Sequence, residues 1–279
     1  MKLIIDSGST KTQWTVLNGK EVVEMLYTVG INPYYMDSDE IKQVLKKELN
    51  TGFTNLPVKE IYYFGTGCST VANCNLIKSI LADTFQTYFI SMNHDLTGAA
   101  IALLKDEKGI ACILGTGSNS CLWDGQKILE NVPSLGYLLG DEGSGTYLGK
   151  LILKAFLSGE ADKGLTEKFY AYTQMNFTEI LHKIYKEVQS NRWMASLTKF
   201  ASAHIDEPFI KALVRQNFED FLKEQVFKYS GFRELPISFV GSVAYYFQDV
   251  LMEVLSGHQI TPGRILQTPM KGLIEYYSE

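Results

Sequence analysis

Two turns and two carboxylate-bearing segments have the residue types and spacing to do chemistry. The first turn, Asp6-Ser7-Gly8-Ser9-Thr10-Lys11-Thr12, combines backbone N–H groups exposed by glycine, hydroxyl donors and a cation, all suited to phosphate oxygens. Asp6 is a poor neighbour for phosphate unless a cation lies between them, which assigns it to Mg²⁺, held through water. The second turn, Gly115-Thr116-Gly117-Ser118-Asn119-Ser120, suits a phosphate or a polyol. Each turn taken alone also reads as a polar hairpin loop, and neither is a Walker loop, because no GxxxxGK[ST] occurs and the glycines precede strands. Asp95 follows an apolar run at a place where a base should face a ligand, and a carboxylate there can accept a hydroxyl proton during phosphoryl transfer. Its alternative reading is a helix N-cap, and His94 beside it reads as a surface or capping residue. Asp141 and Glu142 lie among the glycines of Gly136 to Gly145. We assign Asp141 to sugar hydroxyls and Glu142 to the positive end of the following helix, with Ser144 as its alternative cap. Gly241-Ser242-Val243-Ala244 permits flat contact with a nucleotide base or sugar, or is an ordinary tight turn.

These groups need a scaffold. Residues 2–6 and 13–17 read as strands around the first turn, and Asn18-Gly19 turns the chain into a third strand over 20–29. Ser38 or Asp39 should cap a helix through about Leu49. Strands at 60–65 and 88–92, a helix over 71–84 and another over 96–105 continue the start as βαβ units, so the sheet is mixed with helices on its faces. At 110–114 and 121–123 the strand, glycine turn and strand return, which implies a second, similar unit. A helix at 146–158, helical spacing through 165–229, a strand at 237–240, a helix at 244–255, a strand at 264–267 and a helix at 270–277 complete it.

The chain has 279 residues, 46% of them apolar, enough for two cores. Its 26 basic and 31 acidic side chains give a net charge of -5 without a basic tract, which argues against nucleic acid. No run reaches the roughly 18 apolar residues of a membrane span, and Met1 to Asp6 is too short for a secretory core. The expectation is a cytoplasmic protein. Cys68, Cys74, Cys112 and Cys121 lack CxxC spacing and read as packed thiols rather than zinc ligands or disulfides.

DSGSTKT, ILGTGSNS, GYLLGDEGSG and FVGSVA, in this order and spacing, resemble the motifs of the N-acetylglucosamine kinase family, within the superfamily of sugar kinases, heat-shock chaperone ATPases and actin. The resemblance covers nearly the whole chain, and the GTGSN and GDEGS pair is its most specific part. It implies an α/β fold of two ribonuclease-H-like lobes, each a mixed sheet flanked by helices, around an ATP and sugar cleft. Residues 1–108, joined by the C-terminal helix 268–279, would form one lobe and 109–267 the other. It further implies transfer of the γ-phosphate of ATP to the 6-hydroxyl of N-acetylglucosamine. Residue by residue, Asp6 resembles the Mg²⁺-associated acid, and Gly8, Ser9, Thr10, Lys11 and Thr12 the first phosphate loop. Gly115, Thr116 and Gly117 resemble the second phosphate loop, with Ser118 and Asn119 near the sugar. Asp95 resembles the base, Asp141 a sugar-hydroxyl ligand, and Gly241 and Ser242 the adenosine-side turn. The expected partner is a small-molecule sugar, and a homodimer is left open. Two departures stand out: Asn93-His94 precede Asp95 where the family usually has a short threonine/aspartate context, and residues 160–230 match no motif.

Two rivals share the ATP motifs. An ATPase activator of a radical acyl-CoA dehydratase or reductase needs paired cysteines for an iron–sulfur cluster, and Cys112 and Cys121 flank a glycine turn in a poor arrangement for it. A non-catalytic sugar sensor would lose the base or the metal acid, and both Asp6 and Asp95 are present.

Overall fold

The computed structural model describes every residue except Ser9, Ser69 and Glu279. It divides into two compact units, one made of Met1–Glu107, Gly125–Lys127 and Thr268–Glu279, the other of Lys108–Asp124 and Ile128–Gln267. In the first unit β1 (Lys2–Ser7), β2 (Lys11–Asn18) and β3 (Glu21–Val29) pair antiparallel, as their turn residues predict. On the other side of β1, β4 (Glu60–Gly65) and β5 (Phe89–His94) add parallel strands, giving the order β3-β2-β1-β4-β5.

Period-two alternation divides the apolar residues between the sheet's faces. Leu3, Ile5, Trp14, Val16, Ile61 and Tyr63 join one core with α1 (Ser38–Glu48), α2 (Thr51–Thr54) and α3 (Val71–Phe85). The α1 cap is Asp37 rather than Ser38 or Asp39. Its carboxylate accepts from the Asp39 and Glu40 N–H groups at 2.9 Å each, and Glu40 returns a bond to the Asp37 N–H at 2.9 Å. This reciprocal box needs an acid three residues after the cap, which selects Asp37 over the neighbouring Ser38 and Asp39.

On the opposite face lies α4 (Asp95–Leu104), buried from Gly98 through Leu104. Such burial requires close approach. A Cβ on Gly98 would lie 2.9 Å from the Phe64 side chain. The C-terminal helix α14 (Met270–Tyr277) packs on α4, where a Cβ on Gly272 would lie 2.2 Å from the Ala102 carbonyl oxygen. Lys2 Nζ donates to the Tyr277 carbonyl at 2.8 Å, and the Tyr62 and Tyr277 ring centroids are 4.0 Å apart. The end of the chain therefore clamps the helix that begins with Asp95.

The second unit repeats the topology. Its strands β6 (Gly109–Leu114), β7 (Ser118–Trp123), β8 (Ile128–Glu130), β9 (Ile237–Val240) and β10 (Pro262–Leu266) run in the order β10-β9-β6-β7-β8. Antiparallel β6–β7–β8 corresponds to β1–β2–β3, and parallel β9 and β10 to β4 and β5. Helices α5 (Gly136–Leu139), α6 (Gly145–Leu157), α7 (Lys163–Thr173), α8 (Phe177–Lys186), α9 (Ser190–Ser196), α10 (Thr198–Ala203) and α11 (Pro208–Glu224) follow β8. The helix predicted over 244–255 is two, α12 (Ser242–Tyr246) and α13 (Gln248–Gly257), separated at Phe247, whose ring is buried in the core. Among the described residues no helix is long and apolar enough to cross a membrane.

Gly272→Ala is expected to lose about 2 kcal/mol of stability, because an added methyl against a fixed carbonyl costs more than the gain in helix propensity. Urea unfolding of the wild type and variant measures it.

Candidate functional site

In the first unit, strand register brings distant residues level. Ser7 pairs with Gly65, and Gly65 with His94, so Gly8, Thr66 and Asp95 leave the sheet side by side at the C-terminal ends of β1, β4 and β5. Ligands of open α/β sheets bind at that edge. Asp6 sits two residues before Gly8, opposite Phe64. Burial pushes its carboxyl up to about 7, with the charge of Asp95 adding to the shift and Lys11 opposing it.

The first turn is shorter than the sequence suggests. Ser7 and Thr12 lie within the strands, both fully buried, with their hydroxyl oxygens 2.8 Å apart. Ser7 Oγ donates to the Ile31 carbonyl at 3.1 Å and accepts from the Ile31 N–H at 3.3 Å, so Thr12 supplies the proton between the two hydroxyls. Thr12, grouped by sequence with the phosphate loop, thus has its hydroxyl turned inward. Gly8 and Thr10 remain in the turn, closed by a Gly8 N–H bond to the Lys11 carbonyl at 3.0 Å. Ser9 lies outside the described residues. The Lys11 ammonium rests over the Tyr27 ring, 4.8 Å from its centroid.

Asp95 is the first residue of α4, and the N-cap is His94. The Asp95 carboxylate accepts from the Leu96 N–H at 2.8 Å and from Thr66 Oγ1 at 2.9 Å, and His94 Nδ1 lies 2.6 Å from Oδ1. Burial alone would raise its pKa. The His94 hydrogen bond and charge, with Thr66 and Leu96, outweigh burial and hold it below the usual carboxylate range, while Asp95 raises that of His94. The side chain stays 24% exposed, so part of the carboxylate can reach a ligand.

In the second unit the Gly115 turn is braced from behind. The Gly115 carbonyl accepts from the Gly145 N–H at 2.8 Å, and the Thr116 carbonyl from the Thr146 N–H at 3.2 Å and Thr146 Oγ1 at 2.6 Å. With Ser144 Oγ capping the Tyr147 N–H at 3.0 Å, the first N–H groups of α6 are satisfied. Any anion here is therefore left to the turn itself, whose Gly115 N–H already donates to the Gly117 carbonyl at 3.0 Å. Asp141, at a positive φ of 63°, accepts from Ser134 Oγ at 2.9 Å and from the Ser118 N–H. Burial raises its pKa against the pull of these donors and Lys150. Asn119 Oδ1 accepts from the Ser120 N–H and from Asn131 Nδ2 at 2.9 Å each, which leaves its own Nδ2 as a donor.

Gly241 could be no other residue. Its φ is 126°, and a Cβ would lie 2.3 Å from the Leu114 carbonyl oxygen, so the β9–α12 turn lies against the start of the Gly115 turn. Beyond it a cavity of about 500 Å³ is lined by Thr198, Lys199 and Ser202 from α10 and by Ser242, Val243 and Tyr246 from α12. Sequence reasoning reached Ser242 but not the α10 residues, which carry no motif. Tyr246, one helical turn after Ser242, had that spacing as a signal. Thr66, Ser134 and Asn131 were also missed, because only the folded chain brings them to Asp95, Asp141 and Asn119.

A Porphyromonas gingivalis protein provisionally named N-acetylglucosamine kinase is 40% identical, with a TM-score of 0.96 over 100% of this chain and 99% of its own. The chain belongs to the N-acetylglucosamine kinase family. A Chromobacterium violaceum protein of the same provisional name, 18% identical, shares the fold with a TM-score of 0.73 over 99% of this chain and 98% of its own. So does a Streptomyces griseus ROK-family glucokinase in complex with glucose and AMPPNP, 14% identical with a TM-score of 0.58 over 98% and 97%. No protein-family profile and no curated protein matches the sequence.

In this member of the N-acetylglucosamine kinase family the donor set fits Mg²⁺. The described residues contain no group of three or more His, Cys, Asp or Glu able to hold a metal alone. Mg²⁺ is characteristically bound by one or two carboxylates with water and substrate phosphates, and Asp6 is a half-buried acid whose charge Lys11 only partly offsets. Because the folded pKa of Asp6 lies above its ordinary 3.8, its contribution to stability is full below that value and is lost as pH rises through about 7. Asp6→Asn should therefore melt above the wild type at pH 8 in EDTA, and most of that advantage should vanish at pH 5. Mg²⁺ should raise the wild-type Tm at pH 8 and leave Asp6→Asn unmoved. Scanning calorimetry at both pH values checks this.

Proposed function

We propose that this protein transfers the γ-phosphoryl group of ATP to a hydroxyl of an amino sugar, with N-acetylglucosamine and its 6-hydroxyl as the preferred acceptor. The observation that carries this reading is the Asp95 carboxylate, fixed at the C-terminal strand edge beside Asp6 yet partly exposed. Family membership supports the sugar acceptor, and the glucose and AMPPNP of the Streptomyces glucokinase complex support the pairing of sugar with nucleotide.

In this reading Asp95 takes the proton of the sugar hydroxyl as it attacks phosphorus. Its low proton affinity is no obstacle, because most of the catalysis of phosphoryl transfer comes from alignment and charge stabilisation. Asp6 would hold Mg²⁺, which when bound would supply neutralisation of phosphate charge. The turns at Gly8–Lys11 and Gly115–Gly117 receive phosphate oxygens, with the Gly8 and Gly115 N–H groups kept for closing the turns themselves, at 3.0 Å each. Ser118, Asn119 Nδ2 and Asp141 take sugar hydroxyls, with Ser134 and Asn131 holding the last two in place. The cavity at Ser242 and Tyr246 has a volume suited to adenosine. The activator reading is disfavoured because Cys112 and Cys121 are fully buried in their sheet.

An ATP-consumption assay over N-acetylglucosamine, N-acetylmuramic acid and glucose tests reaction and acceptor together, and turnover with none of them would refute the reading. Asp95→Asn should lower kcat by roughly 10²–10⁴-fold, the range for loss of a general base, while calorimetry shows unchanged sugar affinity. Asp141→Ala should instead weaken sugar affinity.

A further inference from the structure

One Asp95 oxygen is occupied by the protein itself. Oδ1 receives the Leu96 N–H at 2.8 Å and lies 2.6 Å from His94 Nδ1, while among the described residues Oδ2 receives only Thr66 Oγ1 at 2.9 Å. His94 Nδ1 also lies 3.2 Å from the Leu96 N–H, but one ring nitrogen cannot donate to a carboxylate and accept an N–H together. The shorter contact places the proton between Nδ1 and Oδ1, and the Leu96 N–H then belongs to Asp95. The histidine is therefore spent on the carboxylate rather than on capping α4, a task better suited to Ser, Thr, Asp or Asn.

We propose that His94 and Thr66 are positioning residues for the base: His94 pins Oδ1, and Thr66 aims Oδ2, which alone accepts the proton. This rests on the kinase reading above. As the sugar oxygen forms its bond to phosphorus, its proton passes to Oδ2, the bond between the γ-phosphorus and the bridging oxygen breaks with its electron pair leaving on ADP, and Asp95 later returns the proton to solvent. The register that sets His94 beside Gly65 makes the arrangement possible, because Thr66 is the next residue along. Asp6 from β1, Tyr63 from β4 and Cys68 from the loop after β4 also face Asp95 electrostatically. Among the described residues none of these donates a hydrogen bond to it.

The test compares removal of each donor with its conservative replacement. His94→Ala and Thr66→Val should each lower kcat about 10- to 100-fold, as misplacement of a reacting group does, with both KM values within about 3-fold of wild type. His94→Asn, which keeps an N–H donor, and Thr66→Ser should recover most of that loss. Failure of both rescues, or a loss confined to KM, overturns the proposal. A second measurement needs no turnover. In ¹³C carboxyl NMR titrations without substrate, the Asp95 inflection should move up by about one pH unit or more in His94→Ala and Thr66→Val, because each loses a hydrogen bond to the charged form. An unmoved inflection overturns the proposal. If the wild type phosphorylates no sugar, the kinase reading fails on its own, and the titration still decides whether these residues hold Asp95. Should His94→Ala fail to fold, Thr66→Val and His94→Asn carry both measurements.

Discussion

Backbone hydrogen bonds between β1, β4 and β5 set Ser7, Gly65 and His94 in one row, and the placement of the polar groups at the edge of the first unit hangs from that row. Parallel pairing leaves no freedom in which residues emerge together, because a one-residue slip would turn Leu3, Ile5, Ile61 and Tyr63 out of their core. Hydrophobic burial on one face thus fixes the position of polar groups at the edge. On the other face α4 locks the same alignment, since Gly98 admits Phe64 and Gly272 admits the Ala102 backbone. The acid at the start of α4 is placed by packing along its length.

The second unit has the same strand order with a different emphasis. Its first turn rests on α6 through carbonyls of Gly115 and Thr116, which turns the polar end of a long buried helix into a foundation. Asp141 and Asn119 are held in turn by Ser134 and Asn131. Each side chain thus keeps its geometry through hydrogen bonds within the protein, Asp141 from Ser134 and the Ser118 N–H and Asn119 from Asn131 and the Ser120 N–H.

Much of this was legible in the sequence. The strand–turn–strand pattern and its return at Gly115 gave the two related sheets, and the glycine-rich runs marked the turns. Thr12 shows where such reading stops: a hydroxyl beside a glycine turn looks available, yet its partner is Ser7, closed off by Ile31. Composition near a turn does not say which residues the strands absorb. Thr66 lay beyond reach for a different reason, since it meets Asp95 only through the register of two strands. At Asp37 the expectation of Ser38 or Asp39 fails although the deciding signal, an acid three residues after the cap, is local in the sequence.

Gly241 ties two segments of the second unit that are remote along the chain. Its bare Cα lies against Leu114 and the Gly115 N–H group, so neither turn has room to change shape while the other stays as it is. The two turns therefore behave as one mechanical unit: a shift of backbone at either is transmitted directly to the other across a contact with no side chain to absorb it.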